Sequence, residues 1–420
     1  MPPSDDAFPP GHAHDASPEP AGDADSGPAH ERESRRERGV NTVLAHAGYD
    51  PRSYHGFVNP PVVHASTVLF PDYETMRDRT QPYTYGTRGT PTTDALARAI
   101  DQLEGSEGTI LVPSGLAALS VPFLAFASSG DHVLAVDSLY TPTRIFLDRV
   151  LARMGVEVEY FAPDIGEAFR HLMRPNTSVV MLEAPASNSF EMVDVPLVAE
   201  LAHEARAECV VMMDNTWATP LFFRPLDHGV DVSIHALTKY PSGGSDLVLG
   251  SASASGTAWE RLHATQIALG TCAAPDDCYL VLRGMRSMNV RLRHHEMSAN
   301  VLCNWLLGQP AVKRVLYPAL PDDPGHTLWS RDFTGASGLF SFVLDGDVAA
   351  AARFLNALEI FGLGYSWAGF ESLAVIPDFS DRQVAHGPTD GTAIRLQIGL
   401  EDPGDLIADL ERGFAAARNA

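Results

Sequence analysis

A chain of 420 residues is longer than a single hydrophobic core usually organises, so two structural domains are the first expectation. Hydrophobic residues make up 45% and charged residues 20%, the balance of an ordinary globular protein. No apolar run approaches the roughly 18 residues of a membrane span, and a net charge of -23 argues against nucleic acid or anionic membranes as partners.

The N-terminus has no basic stretch leading into an apolar core, so no secretory signal is expected and the cytoplasm is the expected compartment. Cys209, Cys272, Cys278 and Cys303 fit neither a disulfide framework nor paired zinc knuckles and read as buried, reduced thiols. No metal is expected: His294-His295-Glu296 lacks the i, i+4 histidine spacing of a zinc helix, and His12 and His14 have no further ligands nearby.

Residues 1–38 are rich in Pro, Asp, Glu, Ser, Ala and Gly and almost devoid of large apolar side chains. Such a segment cannot offset its ordering entropy by burial, so a disordered tail is expected there. From about residue 108, short apolar runs alternate with longer amphipathic ones. Strands are expected at 109–112, 132–136, 156–161, 178–183, 209–213 and 232–236, with helices at 115–127, 143–154 and 195–207. Strands alternating with helices of this length predict a mostly parallel α/β sheet. A long helical stretch follows residue 286, then a Pro-rich connection and a second, smaller α/β pattern. The expected division is an arm over 39–89, a first domain over 90–285 and a C-terminal domain over 286–420.

In an open parallel sheet, ligands bind at the carboxyl ends of the strands, so polar residues there are the candidates. Ser114 and Gly115 stand where a strand passes into a helix, a place that presents backbone N–H groups to a phosphate, although Ser-Gly also makes an ordinary helix cap. Tyr140 follows the next strand and can stack on an aromatic ring and exchange protons, or simply cap the core. Asp214, after the strand at 209–213, can hold a protonated pyridine nitrogen or serve as a turn aspartate. Lys239, in His235-Ala-Leu-Thr-Lys-Tyr240, can form a Schiff base if its pocket is dry, or be an exposed loop lysine. Each reading is weak alone, and their order along the chain is what gives them force.

These residues, together with Tyr85-Gly-Thr-Arg-Gly-Thr-Pro-Thr92, Pro113-Ser-Gly-Leu-Ala117, Asp214-Asn-Thr-Trp217, Thr238-Lys-Tyr240, Tyr365-Ser-Trp-Ala-Gly-Phe-Glu-Ser372 and Ile394-Arg-Leu-Gln-Ile-Gly-Leu-Glu-Asp402, resemble the Cys/Met-metabolism family of pyridoxal-phosphate enzymes over about residues 40–416. The resemblance implies the aspartate-aminotransferase-like fold type I of pyridoxal-phosphate-dependent transferases. It implies pyridoxal 5′-phosphate as cofactor, bound through Lys239, with Asp214 on the pyridine nitrogen and Tyr140 stacked on the ring and exchanging protons. Thr238, Gly115 and Leu116 would contact the phosphate, the last two through backbone N–H groups. Arg395 would bind the substrate α-carboxylate, flanked by Ser366 and Trp367. The assembly implied is a homotetramer, a dimer of dimers, with Tyr85 reaching the cofactor phosphate and substrate of the neighbouring subunit. Many relatives have an arginine where this chain has Thr87. Either Arg88, one place later, takes over that phosphate contact, or the phosphate is held with fewer charges.

Within the family the resemblance favours the β-cleaving members, which act in trans-sulfuration during methionine biosynthesis. The γ-acting relatives usually have Glu at the position of Tyr365 and Leu at that of Trp367, and methionine-cleaving relatives commonly have Cys at that of Pro142. The expected reaction is therefore cleavage of the Cβ–S bond of L-cystathionine, giving homocysteine, pyruvate and ammonia. Alternatives are γ-cleavage or γ-synthesis, cysteine desulfhydration, and a cofactor-binding regulator without turnover.

Overall fold

Seven short strands build the first sheet: β1 (Gly108–Val112), β2 (His132–Val136), β3 (Glu157–Phe161), β4 (Thr177–Glu183), β5 (Val210–Asp214), β6 (Val232–Ala236) and β7 (Gly250–Ala254). They are seen in a computed structural model that describes residues 38–418, so residues 1–37 of the expected tail lie outside the described residues. From Val40 onward the chain forms one unit. The strand order is β1-β7-β6-β5-β4-β2-β3, with β7 antiparallel to both its neighbours and the other pairs parallel. Every residue of β1, β2, β4 and β7 is buried, which requires cover on both faces and explains their nearly continuous apolar or small-residue sequences.

Three local differences from the sequence expectation have physical causes. Gly250-Ser-Ala-Ser-Ala254 has none of the β-branched or aromatic residues that signal a strand, yet it forms β7. Its small side chains suit the place, because a Cβ on Gly250 would meet the Ser114 backbone oxygen at 2.3 Å. The expected helix 143–154 starts at Thr141, widens into a π turn over Leu147–Leu151 and closes in a 3-10 turn at Ala152–Met154. Gly155, at φ 86°, supplies the left-handed residue that ends it. β5 lies one residue later than expected, so Asp214 is the last strand residue and pairs in register with Glu183 of β4 and Ile234 of β6. Of the four thiols expected to be buried, Cys272 fails the expectation, since it is exposed while Cys209, Cys278 and Cys303 are buried.

The helix Gly115–Phe126 begins with Ser114 in extended backbone at φ -160°, its hydroxyl accepting from the Ala117 N–H at 3.0 Å. That cap satisfies one of the orphan donors of the first turn. The helix start lies against β6: a Cβ on Gly115 would stand 2.6 Å from that of Ala236, so only glycine allows the approach.

After the helix Met288–Leu307 come β8 (Val312–Leu316), β9 (Leu339–Leu344), β10 (Gly362–Leu363), β11 (Leu373–Val375) and β12 (Thr392–Gln397). Their order is β10-β11-β12-β9-β8, antiparallel except for the β10–β11 pair. Hydrogen bonds fasten β9 and its start to loops at the carboxyl ends of the first sheet. Trp217 Nε1 donates to the Leu339 oxygen at 3.0 Å, Tyr240 Oη accepts from the Gly338 N–H at 3.0 Å, and Ser341 Oγ donates to the Asn188 oxygen at 2.8 Å. These contacts hold β12 and the loop at 365–368 over the strand ends of the first sheet.

Candidate active site

At the carboxyl ends of the first sheet lies a cavity of about 580 Å³, within the range of small-molecule sites. It is lined by Gly115, Leu116, Tyr140, Asp214, Thr238 and Lys239 from the first sheet's loops. Ser366, Trp367 and Arg395 face it from the second sheet's side. Residues up to 280 positions apart in sequence thus line one cavity, because each sits at a strand end, in a loop fastened there, or on β12 held over it.

Lys239 lies with its Nζ 5.1 Å from the Trp367 ring centroid and donates to Ser366 Oγ. Burial, with the Arg395 charge as second cause, pulls its amine down to about 8. Half of the amines are then neutral near pH 8, which is the form able to attack an aldehyde. The chain contains only one other lysine, Lys313, which pairs with Asp345 at 3.2 Å on the surface.

Asp214 is held by Thr216, whose N–H and Oγ1 donate to Oδ1 at 3.0 and 2.5 Å. Burial pushes its carboxyl above the usual carboxylate range. Across the β4–β5 pair, Glu183 is pushed to about 8 by burial first and by the charge of Asp214 second. Two buried carboxylates side by side make a place that favours a cation or a donated proton. Glu183 also accepts from the Tyr140 N–H at 2.7 Å and the Ser187 N–H at 2.8 Å, so it orients the loop that presents Tyr140. The Tyr140 phenol is shifted upward by burial, with the carboxylates of Asp214 and Glu183 adding to it.

Arg395 projects from β12, its guanidinium donating to Asn188 Oδ1 at 2.8 Å and to the Ser366 oxygen at 3.4 Å. Burial lowers it to about 10. Ser366 at φ 82° and Ala368 at φ 71° are in the left-handed region, a conformation that costs on the order of 1–3 kcal/mol for non-glycine residues and clusters at functional sites. It turns the Ser366 hydroxyl toward Lys239 and its carbonyl toward Arg395.

At the helix start, the N–H groups of Gly115 and Leu116 have no partner within their own helix. They line the cavity at the positive end of the helix dipole. Thr238 lines it too, but its hydroxyl is already engaged with Leu249, donating to the oxygen at 3.2 Å and accepting from the N–H at 3.0 Å. An anion cradle, a reactive amine, a carboxylate pair and a buried guanidinium in one cavity are the donor set that a phosphorylated, cationic pyridine aldehyde and an amino acid need. The residues fit pyridoxal phosphate.

Tyr85 and Arg88 are not brought into this cavity within the chain. Both are exposed, and Arg88 borders a separate hollow of about 280 Å³ beside Trp259 and His263. Sequence reasoning missed Glu183, although it ends a strand it had located, and Asn188, for which the sequence carries no signal.

The chain matches the model of the Cys/Met metabolism PLP-dependent enzymes over residues 41–415. It is 62% identical to a Rhizobium johnstonii protein provisionally named cystathionine beta-lyase, over 90% of this chain and 96% of that one. It is 40% identical to the cystathionine beta-lyase MetC of Escherichia coli, over 90% and 98%. The crystal structure of metB from Corynebacterium glutamicum superposes with a TM-score of 0.84 at 30% identity, covering 91% of this chain and 99% of that one. The fold is thus the α/β type I fold of pyridoxal-phosphate-dependent enzymes expected from the sequence. This chain belongs to the Cys/Met metabolism family of PLP-dependent enzymes.

Proposed function

We propose that the chain is a carbon–sulfur lyase that cleaves L-cystathionine at its Cβ–S bond, releasing homocysteine, pyruvate and ammonia in the trans-sulfuration route to methionine. The observation that carries this reading is the desolvated Lys239 amine sharing one cavity with the Asp214 carboxyl and the Arg395 guanidinium. Similarity to a cystathionine beta-lyase over nearly the whole chain supports it.

Pyridoxal phosphate supplies an aldehyde for amine exchange and a cationic ring that accepts the electron pair of a broken Cα–H bond. Lys239 would hold that cofactor and, free of it when substrate is bound, would take the α-proton and deliver a proton to the departing sulfur. Tyr140 would stack on the ring and be a second proton donor for the sulfur. Asp214 would keep a proton on the pyridine nitrogen. Gly115 and Leu116 would bind the phosphate through N–H groups, and Thr238 would join them if its hydroxyl turned from the Leu249 oxygen. Arg395 binds the α-carboxylate, with Ser366 and Trp367 closing its sides.

Residues 90–285 and 286–420 would be the cofactor-binding and C-terminal domains, with 39–89 as an arm reaching a neighbouring subunit of a homotetramer. Phe57, Leu69 and Tyr73 on that arm are exposed, and large apolar side chains left in water support such a contact. Tyr85 would reach the neighbour's cofactor phosphate and substrate, with Arg88 beside it in place of the arginine absent at Thr87. No described helix is long and apolar enough to cross a membrane, and the cytoplasm is the compartment proposed.

Bond choice is the test. Cleavage at Cγ requires a further deprotonation at Cβ, which Tyr365, lacking a carboxylate, does not assist. Trp367, 9% exposed, and Pro142 narrow the space in which a longer proton shuttle would move. Incubation with L-cystathionine is expected to release pyruvate and homocysteine, measured by keto-acid derivatisation. A predominance of 2-oxobutyrate and cysteine would make the chain a γ-lyase. Return of D-amino acid without keto acid would make it a racemase.

A further inference from the structure

L-Cystathionine carries an α-amino acid at each end. The proximal end is accounted for by Lys239 and Arg395, and the distal ammonium needs a carboxylate of its own. Four carboxyl or cationic groups of the cavity are already committed. Glu183 takes two backbone N–H groups, Asp214 is bound by Thr216 at the ring-nitrogen end, and Lys239 and Arg395 are cations. The fifth is Asp378.

Asp378 lines the same cavity beside Ile376 and Pro377, so it stands in an otherwise apolar stretch of wall. Its Oδ1 accepts from the Ser380 N–H at 2.8 Å, which fixes the carboxylate on its own turn, and that backbone bond holds it below the usual carboxylate range. Among the described residues no side-chain cation pairs with it, and it is exposed. The segment carrying it is fastened rather than loose. Five residues on, the buried Asp137 carboxylate accepts from the N–H groups of Gln383, Val384 and Ala385 at 2.9, 2.6 and 2.6 Å and from Arg144. Arg382 pairs with Glu191 at 2.9 Å and also reaches Ser189. Pro377 stiffens the backbone immediately before the aspartate. The carboxylate is therefore presented at a set place on the cavity wall without the entropy cost of ordering a free loop.

We propose that Asp378 is a specificity-determining residue that binds the distal ammonium of the thioether substrate and so distinguishes L-cystathionine from S-alkylcysteines. This inference rests on the β-cleavage reading above. It places the leaving half of the substrate along the wall formed by Ile376–Asp378, with the sulfur between that wall and Lys239.

The test compares two thioethers in one enzyme. S-Ethyl-L-cysteine offers the same Cβ–S bond and the same proximal amino acid but no distal ammonium. Asp378→Asn keeps the acceptor for the Ser380 N–H and removes only the charge. The ratio of kcat/KM for L-cystathionine to that for S-ethyl-L-cysteine is expected to fall about tenfold in this variant, the scale of one charge-assisted hydrogen bond, and to fall through KM for L-cystathionine. Asp378→Glu is expected to recover part of it. An unchanged ratio, including one in which both activities drop together, overturns the assignment. If the parent chain releases pyruvate from neither thioether, it is the reaction itself that has been misread, which is a different failure from an unchanged ratio.

Discussion

Replacing Lys239 with alanine is expected to lower turnover of L-cystathionine about 10⁴-fold or more, because one side chain is lost from both covalent attachment and proton transfer. The fold has no need of this amine. Its burial holds the pKa near 8, so in the cofactor-free protein its proton is bound less tightly than in the unfolded chain. Stability from this group is therefore lowest below about pH 8 and rises towards the ordinary lysine value, and removing it relieves that cost at neutral pH. Thermal unfolding of the variant should thus match or exceed the parent while activity collapses. Added methylamine is expected to restore part of the turnover, since a small amine entering the vacated space can carry the proton. Activity within tenfold of the parent would mean that another group carries out the chemistry.

The second large effect is expected at Arg395. Its guanidinium is buried on β12, oriented by Asn188 and by the Ser366 carbonyl, with its pKa lowered to about 10 by desolvation. A buried cation with only neutral partners favours an incoming carboxylate, and planar two-point contact is what guanidinium offers and ammonium does not. Arg395→Lys is expected to lose on the order of 1.5–3 kcal/mol of that contact, about 10- to 150-fold in kcat/KM. The visible absorbance of the bound cofactor should persist, because Arg395 touches neither Asp214 nor the helix start at Gly115. A loss below twofold would place the substrate carboxylate elsewhere.

Much of this site is legible in the sequence. Strand periodicity located β2 and β6 without error and β4 to within one residue, and a parallel sheet directs attention to carboxyl-end residues, where Tyr140, Asp214 and Lys239 stand. Arg395 and Ser366–Trp367 came only through the family motifs, because nothing local in the sequence says that β12 folds back over the first sheet. β7 escaped because its small residues answer to close packing against Ser114 rather than to strand propensity. Glu183 was passed over because a glutamate at a strand end reads as surface, and only its register with Asp214 shows that it is buried. Asp378 was invisible for a related reason: its place on the cavity wall depends on Asp137, some 240 positions earlier, gripping the segment that carries it.

The attachment of the cofactor to Lys239 is tested most directly by borohydride reduction of the protein carrying pyridoxal phosphate, followed by digestion and mass mapping of the labelled peptide. With two lysines in the chain the outcome is nearly binary. The label is expected on the peptide containing Lys239, at close to one per chain. A label on Lys313, which is exposed and paired with Asp345, or no label at all, would contradict the assignment on which the site is built.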